Sequence, residues 1–171
     1  MAEIAAAERE TWQGRGSSKP FILVAQQSVC DPTRAPAGLH TLWAYAHVPS
    51  GTNEDYSEII TSQIERFAPG FREVILATHA MNPAAVQAYN ANNIGGDVIG
   101  GVMDIRQMFT RPVARWNPYT TPHRKVFHCS SATPPGAGVH GMCGYHAART
   151  VLRKVFGMRL GNGEHNRFEP T

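Results

Sequence analysis

The chain has 171 residues, 42% of them hydrophobic, with 16 Lys and Arg against 13 Asp and Glu for a formal charge of +3. That is enough for one domain with its own core or for part of a larger protein, and too apolar for a disordered chain. The mild charge argues against a nucleic-acid surface: its one grouping, Arg149, Arg153, Lys154 and Arg159, follows a predicted helix to its C-terminal end, where cations suit the helix dipole.

In chain order, the Ala- and Glu-rich start fits a short helix, and Gly14 to Pro20 reads as a linker. The continuous apolar run Phe21 to Ala25 predicts a strand buried on both faces. Turn chemistry follows from Cys30 to Gly38, with an Asp-Pro pair, a second Pro and a Gly. Leu39 to Val48 predicts a second strand, antiparallel to the first, with Leu42, Ala44, Ala46 and Val48 on one face and Thr41, Trp43, Tyr45 and His47 on the other. Asp55 to Ala68 has helical spacing, with Tyr56, Ile59, Ile60, Ile64 and Phe67 sharing a face and Pro69-Gly70 stopping it. Glu73 to Thr78 predicts a third strand, and Asn82-Pro83 opens a short helix reaching Ala88 or Tyr89. Asn90 to Gly101 is too rich in Gly and Asn for a regular element, and Arg111 to Pro122 is irregular and Pro-rich. Val126 and Phe127 then start a strand, Pro134 to Gly138 a turn, and a helix follows that Gly157 caps; Gly161 to Thr171 reads as a frayed tail. The order predicts an α+β, or mixed α/β, fold. The long crossing between the short helix and the last strand marks a functional loop or a surface built to meet a partner.

The most informative stretch is the strand, turn and helix from Val126 to Phe156. A backbone-exposing turn at a helix N-terminus presents N–H groups and the positive end of the dipole to an anionic or electron-rich ligand. Gly136 and Gly138 permit positive φ, and Gly141 and Gly144 leave room in the first helical turns for a strand or a flat ring. His128, Cys129, His140, Cys143 and His146 invite a zinc reading. But His140 and His146 lie roughly 9 Å apart along a helix axis and about 120° around it, a poor start for a tetrahedral site. They read instead as caps and packing residues, with no metal; a Cys-His nucleophilic pair stays open, without a mark of which Cys is activated. The odd count of cysteines (Cys30, Cys129 and Cys143) argues against a disulfide framework and fits a reducing compartment. Trp43, Tyr45 and His47 form a broad face for core, interface or a greasy substrate. Asp97, Asp104, Arg106 and Arg111 along the Gly-rich crossing would orient a ligand or form loop salt bridges. No strand is followed by G-x-G-x-x-G with an acidic residue about twenty positions on, and neither a phosphate-binding G-x-x-x-x-G-K-[ST] loop nor a G-x-S-x-G elbow occurs. No run is long enough to span a bilayer and the N-terminus lacks the apolar core of a secretory signal, so a cytoplasmic protein is expected.

Five stretches carry a family resemblance: Pro20 to Gly38, Ile64 to Phe71, Asn93 to Val113, Asn117 to Pro122, and above all Cys129 to Leu152. With them the chain resembles the C-terminal portion of the phytoene-desaturase-like FAD-dependent oxidoreductases, within the flavin amine-oxidase superfamily. The resemblance implies an N-terminal segment at 1–19, a substrate-domain portion and return crossing at 20–122, a returning FAD-domain segment at 123–158 and a tail at 159–171. Ser130, Ser131, Gly136, Gly138, Val139, His140 and Gly141 would then lie near the flavin ring or ribityl chain of FAD. It further implies that the N-terminal Rossmann half of such enzymes is absent. The expected partners are therefore a complementary FAD-binding chain, an apolar substrate and a second copy of the chain, with no nucleic acid and no transmembrane segment. The expected function is the C-terminal half of a desaturase or dehydrogenase, incomplete alone; the alternative is a non-catalytic oligomeric binding or assembly module without FAD.

Overall fold

In the computed structural model, residues 1–160 and 168–170 are described. The chain divides into two compact units, Met1–Gly96 and Asp97–Thr171. Both mix helix with antiparallel strand, so the α+β class holds.

The first unit begins with helix α1, Ala2–Trp12, followed by strands β1, Ile22–Ala25, and β2, Trp43–Ala46. The strands pair antiparallel, as expected, with Leu23 opposite Tyr45 and Val24 opposite Ala44. The connection is held by buried Ser28, whose Oγ lies 3.0 Å from His40 Nδ1 and accepts the Thr41 N–H at 3.2 Å. Helix α2, Ser57–Phe67, starts where Asp55 accepts the Ser57 N–H at 2.8 Å. Tyr56 is buried just ahead of it, its hydroxyl donating to Glu54 at 2.9 Å and lying against Gly16, where a Cβ would not fit. Three contacts tie these elements together: Glu3 with Arg66, Glu8 with His47 at 2.9 Å, and Gln63 donating to the Pro20 carbonyl at 3.2 Å. Helix α3, Pro83–Tyr89, opens as predicted: Asn82 Oδ1 accepts the Ala85 N–H at 2.9 Å and Pro83 occupies the first helical position.

The second unit holds helix α4, Gln107–Thr110, helix α5, Met142–Val155, and strands β3, Met158–Leu160, and β4, Phe168–Pro170, which pair antiparallel. Its buried residues include Cys143, Ala147 and Thr150 on one face of α5. Gly157, at φ 64°, terminates that helix in the left-handed conformation a C-terminal cap requires.

Several elements depart from expectation. β1 is not buried on both faces, since Leu23 and Val24 are exposed; a two-stranded sheet with a helix on one side cannot cover both. β2 is trimmed to four residues because β1 offers only four partners. The strand expected at Glu73 to Thr78 is a 3-10 turn, Arg72–Val74, followed by irregular chain. Its cause is Glu65, whose carboxylate accepts the N–H groups of Gly70 at 2.6 Å and Arg72 at 2.8 Å and wraps the chain around the end of α2, leaving Val74 and Leu76 exposed. The returning strand shrinks to one bridge, Phe127 with Thr120, because Thr121 turns the chain by accepting the His123 N–H and donating to the Val126 carbonyl. The frayed tail lies outside the described residues at 161–167 and 171, whereas Phe168–Pro170 pair with β3.

The carboxyls of Glu3 and Glu58 sit below their ordinary value of 4.5, chiefly through hydrogen bonds from Arg66 and Arg72. A depressed carboxyl pKa contributes stability that is present above the unfolded value and lost as pH falls through the folded one. Urea melts should therefore show the first unit weakening progressively below pH 4.5, and a Glu3→Gln, Glu58→Gln double variant should be less stable at pH 7 with a flatter acid dependence. An unchanged acid profile would mean that these exposed pairs do not contribute.

Candidate functional site

The site is assembled in the second unit, on the turn that feeds α5. Ser130 starts it: its Oγ accepts the Ala132 N–H at 3.1 Å, and its carbonyl accepts both the Thr133 N–H at 2.9 Å and the Thr133 hydroxyl at 2.7 Å. Thr133 is fully buried. Its carbonyl accepts the Gly136 N–H at 2.8 Å and, with the Gly136 carbonyl, receives the thiol of buried Cys143 at 3.4 and 3.3 Å. The Pro134 carbonyl accepts the Tyr119 hydroxyl at 2.8 Å, and the Ala132 carbonyl accepts Arg111 Nε at 3.3 Å. Donors from Thr133, Gly136, Cys143, Tyr119 and Arg111 thus engage the carbonyls of Ser130, Ala132, Thr133, Pro134 and Gly136.

The amides on the far side of the turn are left over. Among the described residues, the N–H groups of Ala137, Gly138, Val139, His140 and Gly141 have no protein partner, and Gly138 to Gly141 are exposed. Gly141, at φ 62°, caps α5 without a side-chain bond of its own; the Met142 N–H is taken by His140 Nδ1 at 3.0 Å. The His140 ring lies over Gly138, where a Cβ would approach it to 2.6 Å. The first turn of α5 carries no acidic residue, so its positive end is unopposed.

The seven residues expected at a cofactor therefore share one turn but divide by role. Ser130 and Gly136 are bonded internally and form its inner frame, with Ser131 half-buried beside Gly100. Gly138, Val139, His140 and Gly141 form the open rim. Gly136 is required by its surroundings: at φ 102° a Cβ would stand 3.0 Å from Met103 Sδ and 3.2 Å from Arg111 Nη1. Gly136, Gly138 and Gly141 have the spacing of G-x-G-x-x-G. The structure adds that a turn, not a strand, feeds it.

The loop charges do not pair with one another. Asp97 accepts the N–H groups of Ile99 and Gly101, and Asp104 accepts that of Gln107, because short carboxylates in Gly-rich chain reach neighbouring amides first. Arg111, only 3% exposed, donates Nη2 to the Ile99 and Gly100 carbonyls at 3.1 and 3.0 Å and Nη1 to Met103 Sδ at 2.7 Å. His146 stacks on Tyr119 with ring centroids 5.9 Å apart, and among the described residues no three His, Cys, Asp or Glu side chains gather as metal ligands. Tyr119 missed notice in the sequence because nothing in Asn117 to Pro122 has a period.

In the first unit, Trp43, Tyr45 and His47 do share a face, with centroids 5.1 and 5.9 Å apart, and Trp43 and Tyr45 are exposed. A groove of about 400 Å³ beside α3, lined by Gly51, Asn53, Ala84, Gln87, Ala88 and Ala91, holds no titratable group and so no evident chemistry. No described helix is long and apolar enough to cross a membrane.

Burial pushes the Tyr119 phenol above its ordinary value of 10.0, with the neighbouring Cys143 adding to the shift. A raised pKa contributes stability that is complete below the unfolded value and lost as pH rises through the folded one. Tyr119→Phe should cost about 1 kcal/mol at neutral pH through the lost bond to Pro134, and should remove a late-ionising phenol from the alkaline absorbance titration. Gly136→Ala should cost about 1–3 kcal/mol in denaturant melts, from left-handed strain and the clash with Met103 and Arg111. A neutral Gly136→Ala would contradict the close packing described for the turn.

No family model matches the chain, and no solved structure matches it. It is 32% identical over 157 residues to pyridine nucleotide-disulfide oxidoreductase domain-containing protein 2 of Mus musculus, and 29% identical over the same length to the Rattus norvegicus protein of that name. Each match takes in 85% of this chain and 27% of the relative, so the chain spans about a quarter of the length of the relatives it matches. The similarity is therefore to one segment of oxidoreductase domain proteins, a coarser relationship than the phytoene-desaturase-like subtype expected from the motifs.

Proposed function

We propose that this chain supplies the flavin-ring side of an FAD site in an oxidoreductase of phytoene-desaturase-like type. The observation that carries the reading is the open amide run from Ala137 to Gly141, left over on a turn whose Ser130, Ala132, Thr133, Pro134 and Gly136 carbonyls are bonded internally. Its residues suit a flat, electron-rich ring: the space beside Gly141 is open, and the rim stands at the positive end of α5. FAD, when bound, supplies a two-electron acceptor for a C–H bond of the substrate. The protein's own part is to hold the ring edge by the Gly138 to Gly141 amides, to fix the rim through Thr133, Cys143 and Tyr119, and to favour negative charge there. The diphosphate would be held by a complementary chain or segment carrying a strand-fed G-x-G-x-x-G.

A second reading has its own support. Leu23 and Val24 on β1, with Trp43 and Tyr45 on β2, leave apolar side chains exposed on a two-stranded sheet, which suits a self-associating assembly module without FAD.

Gel filtration of the chain with added FAD, monitored at 280 and 450 nm, separates the two. Flavin absorbance travelling with the protein, increased when a separate strand-G-x-G-x-x-G-helix segment is supplied, is the expected outcome. A colourless protein that elutes as an oligomer and ignores FAD under both conditions would overturn the flavin reading in favour of the assembly module.

A further inference from the structure

Between Asp104 and Glu164 the chain holds no acidic residue but nine Lys and Arg. Arg111 is the one of them that the described structure buries. A buried guanidinium ordinarily meets a carboxylate, because desolvating an unpaired charge is costly. Here its partners are the carbonyls of Ile99, Gly100 and Ala132 and the Met103 sulfur. Asp97 and Asp104 hydrogen-bond to backbone amides and form no ion pair with it. Carbonyl dipoles satisfy the donors of the guanidinium but leave its net charge in place. That charge stands against Gly136, the residue that leads into the open amide run, where a Cβ would lie 3.2 Å from Arg111 Nη1. Asp97 and Arg111 also hold the same loop, one by its N–H groups and the other by its carbonyls.

We propose that Arg111 is a positioning residue for an anionic ligand at the Ala137 to Gly141 amides. Its hydrogen bonds turn the Ala132 carbonyl inward and lock the Gly-rich loop to the turn, and its positive charge, bonded to no carboxylate, favours negative charge on the rim. The inference rests on the proposed ligand site. The anion has two sources of the same chemistry, the ring of a reduced flavin and a phosphate.

The test uses the whole ¹⁵N-labelled chain and follows the backbone signals of Gly138 to Gly141. Riboflavin, oxidised or reduced, brings the ring without phosphate; inorganic pyrophosphate brings the charge without the ring. The expected result is that reduced riboflavin moves these signals and binds about tenfold more tightly than oxidised riboflavin, equivalent to about 30 mV for a two-electron couple. Arg111→Met should abolish that preference and Arg111→Lys should retain most of it, which a purely structural staple would not do. Pyrophosphate moving the same signals with the same dependence on position 111, while riboflavin does nothing, supports the role of Arg111 and overturns the flavin-ring reading. Three results overturn the proposal: a wild-type chain that shows neither a preference for reduced riboflavin nor a pyrophosphate response, which decides the matter even if no variant folds; an Arg111→Met variant that binds as wild type does; or a Lys variant as impaired as the Met variant.

Discussion

Carbonyl groups drawn inward hold the second unit together. A tight turn rich in Gly and Pro has few ways to satisfy its own backbone, and buried carbonyls without donors would be costly. Ser130, Thr133, Tyr119, Cys143 and Arg111 solve this from within, each contributing a donor or an acceptor at the turn. Because those bonds are side-chain bonds, the amides on the other edge are not needed for folding. They remain open at the start of a 14-residue helix, where the dipole is positive. The same bonds that stabilise the turn therefore create its capacity to receive a ligand.

The first unit obeys a different rule. It is tied by surface ion pairs and one buried tyrosine, and its sheet has only two strands. Exposed pairs contribute little individually, so the unit leans on Tyr56, Ala7 and the half-buried isoleucines of α2 for cohesion. Apolar residues that a larger sheet would cover stand open on β1 and β2. An exposed aromatic face is what a self-association interface uses, and the second proposed function draws on it.

How much of this was legible in the sequence follows from what kind of signal each part carries. Periodic and capped elements were: α2 from its isoleucine spacing, α3 from Asn82-Pro83, and the β1–β2 pair from its apolar runs. Glu73 to Thr78 has the composition of a strand, but a strand needs a partner edge, and Glu65 fixes the chain in a turn before one is met. The turn before α5 was visible as glycines and prolines, whereas its division into a bonded frame and an open rim was not. That division depends on Arg111 and Tyr119, which reach the turn from 21 and 15 positions away and follow no local period. Arg111 read as one of several loop charges, because burial without a counter-ion is a property of the folded chain alone.

The account depends most on the asymmetry between the two edges of this turn, and amide hydrogen exchange read residue by residue measures it directly. The N–H groups of Ala137 to Gly141 should exchange near the rate of free peptide, while those of Thr133, Gly136 and Tyr145, bonded to Ser130, Thr133 and Gly141, should be strongly protected. Protection of Gly138 to Gly141 comparable to that of Gly136 would show these amides already engaged within the protein and would contradict the ligand-receiving role of the turn.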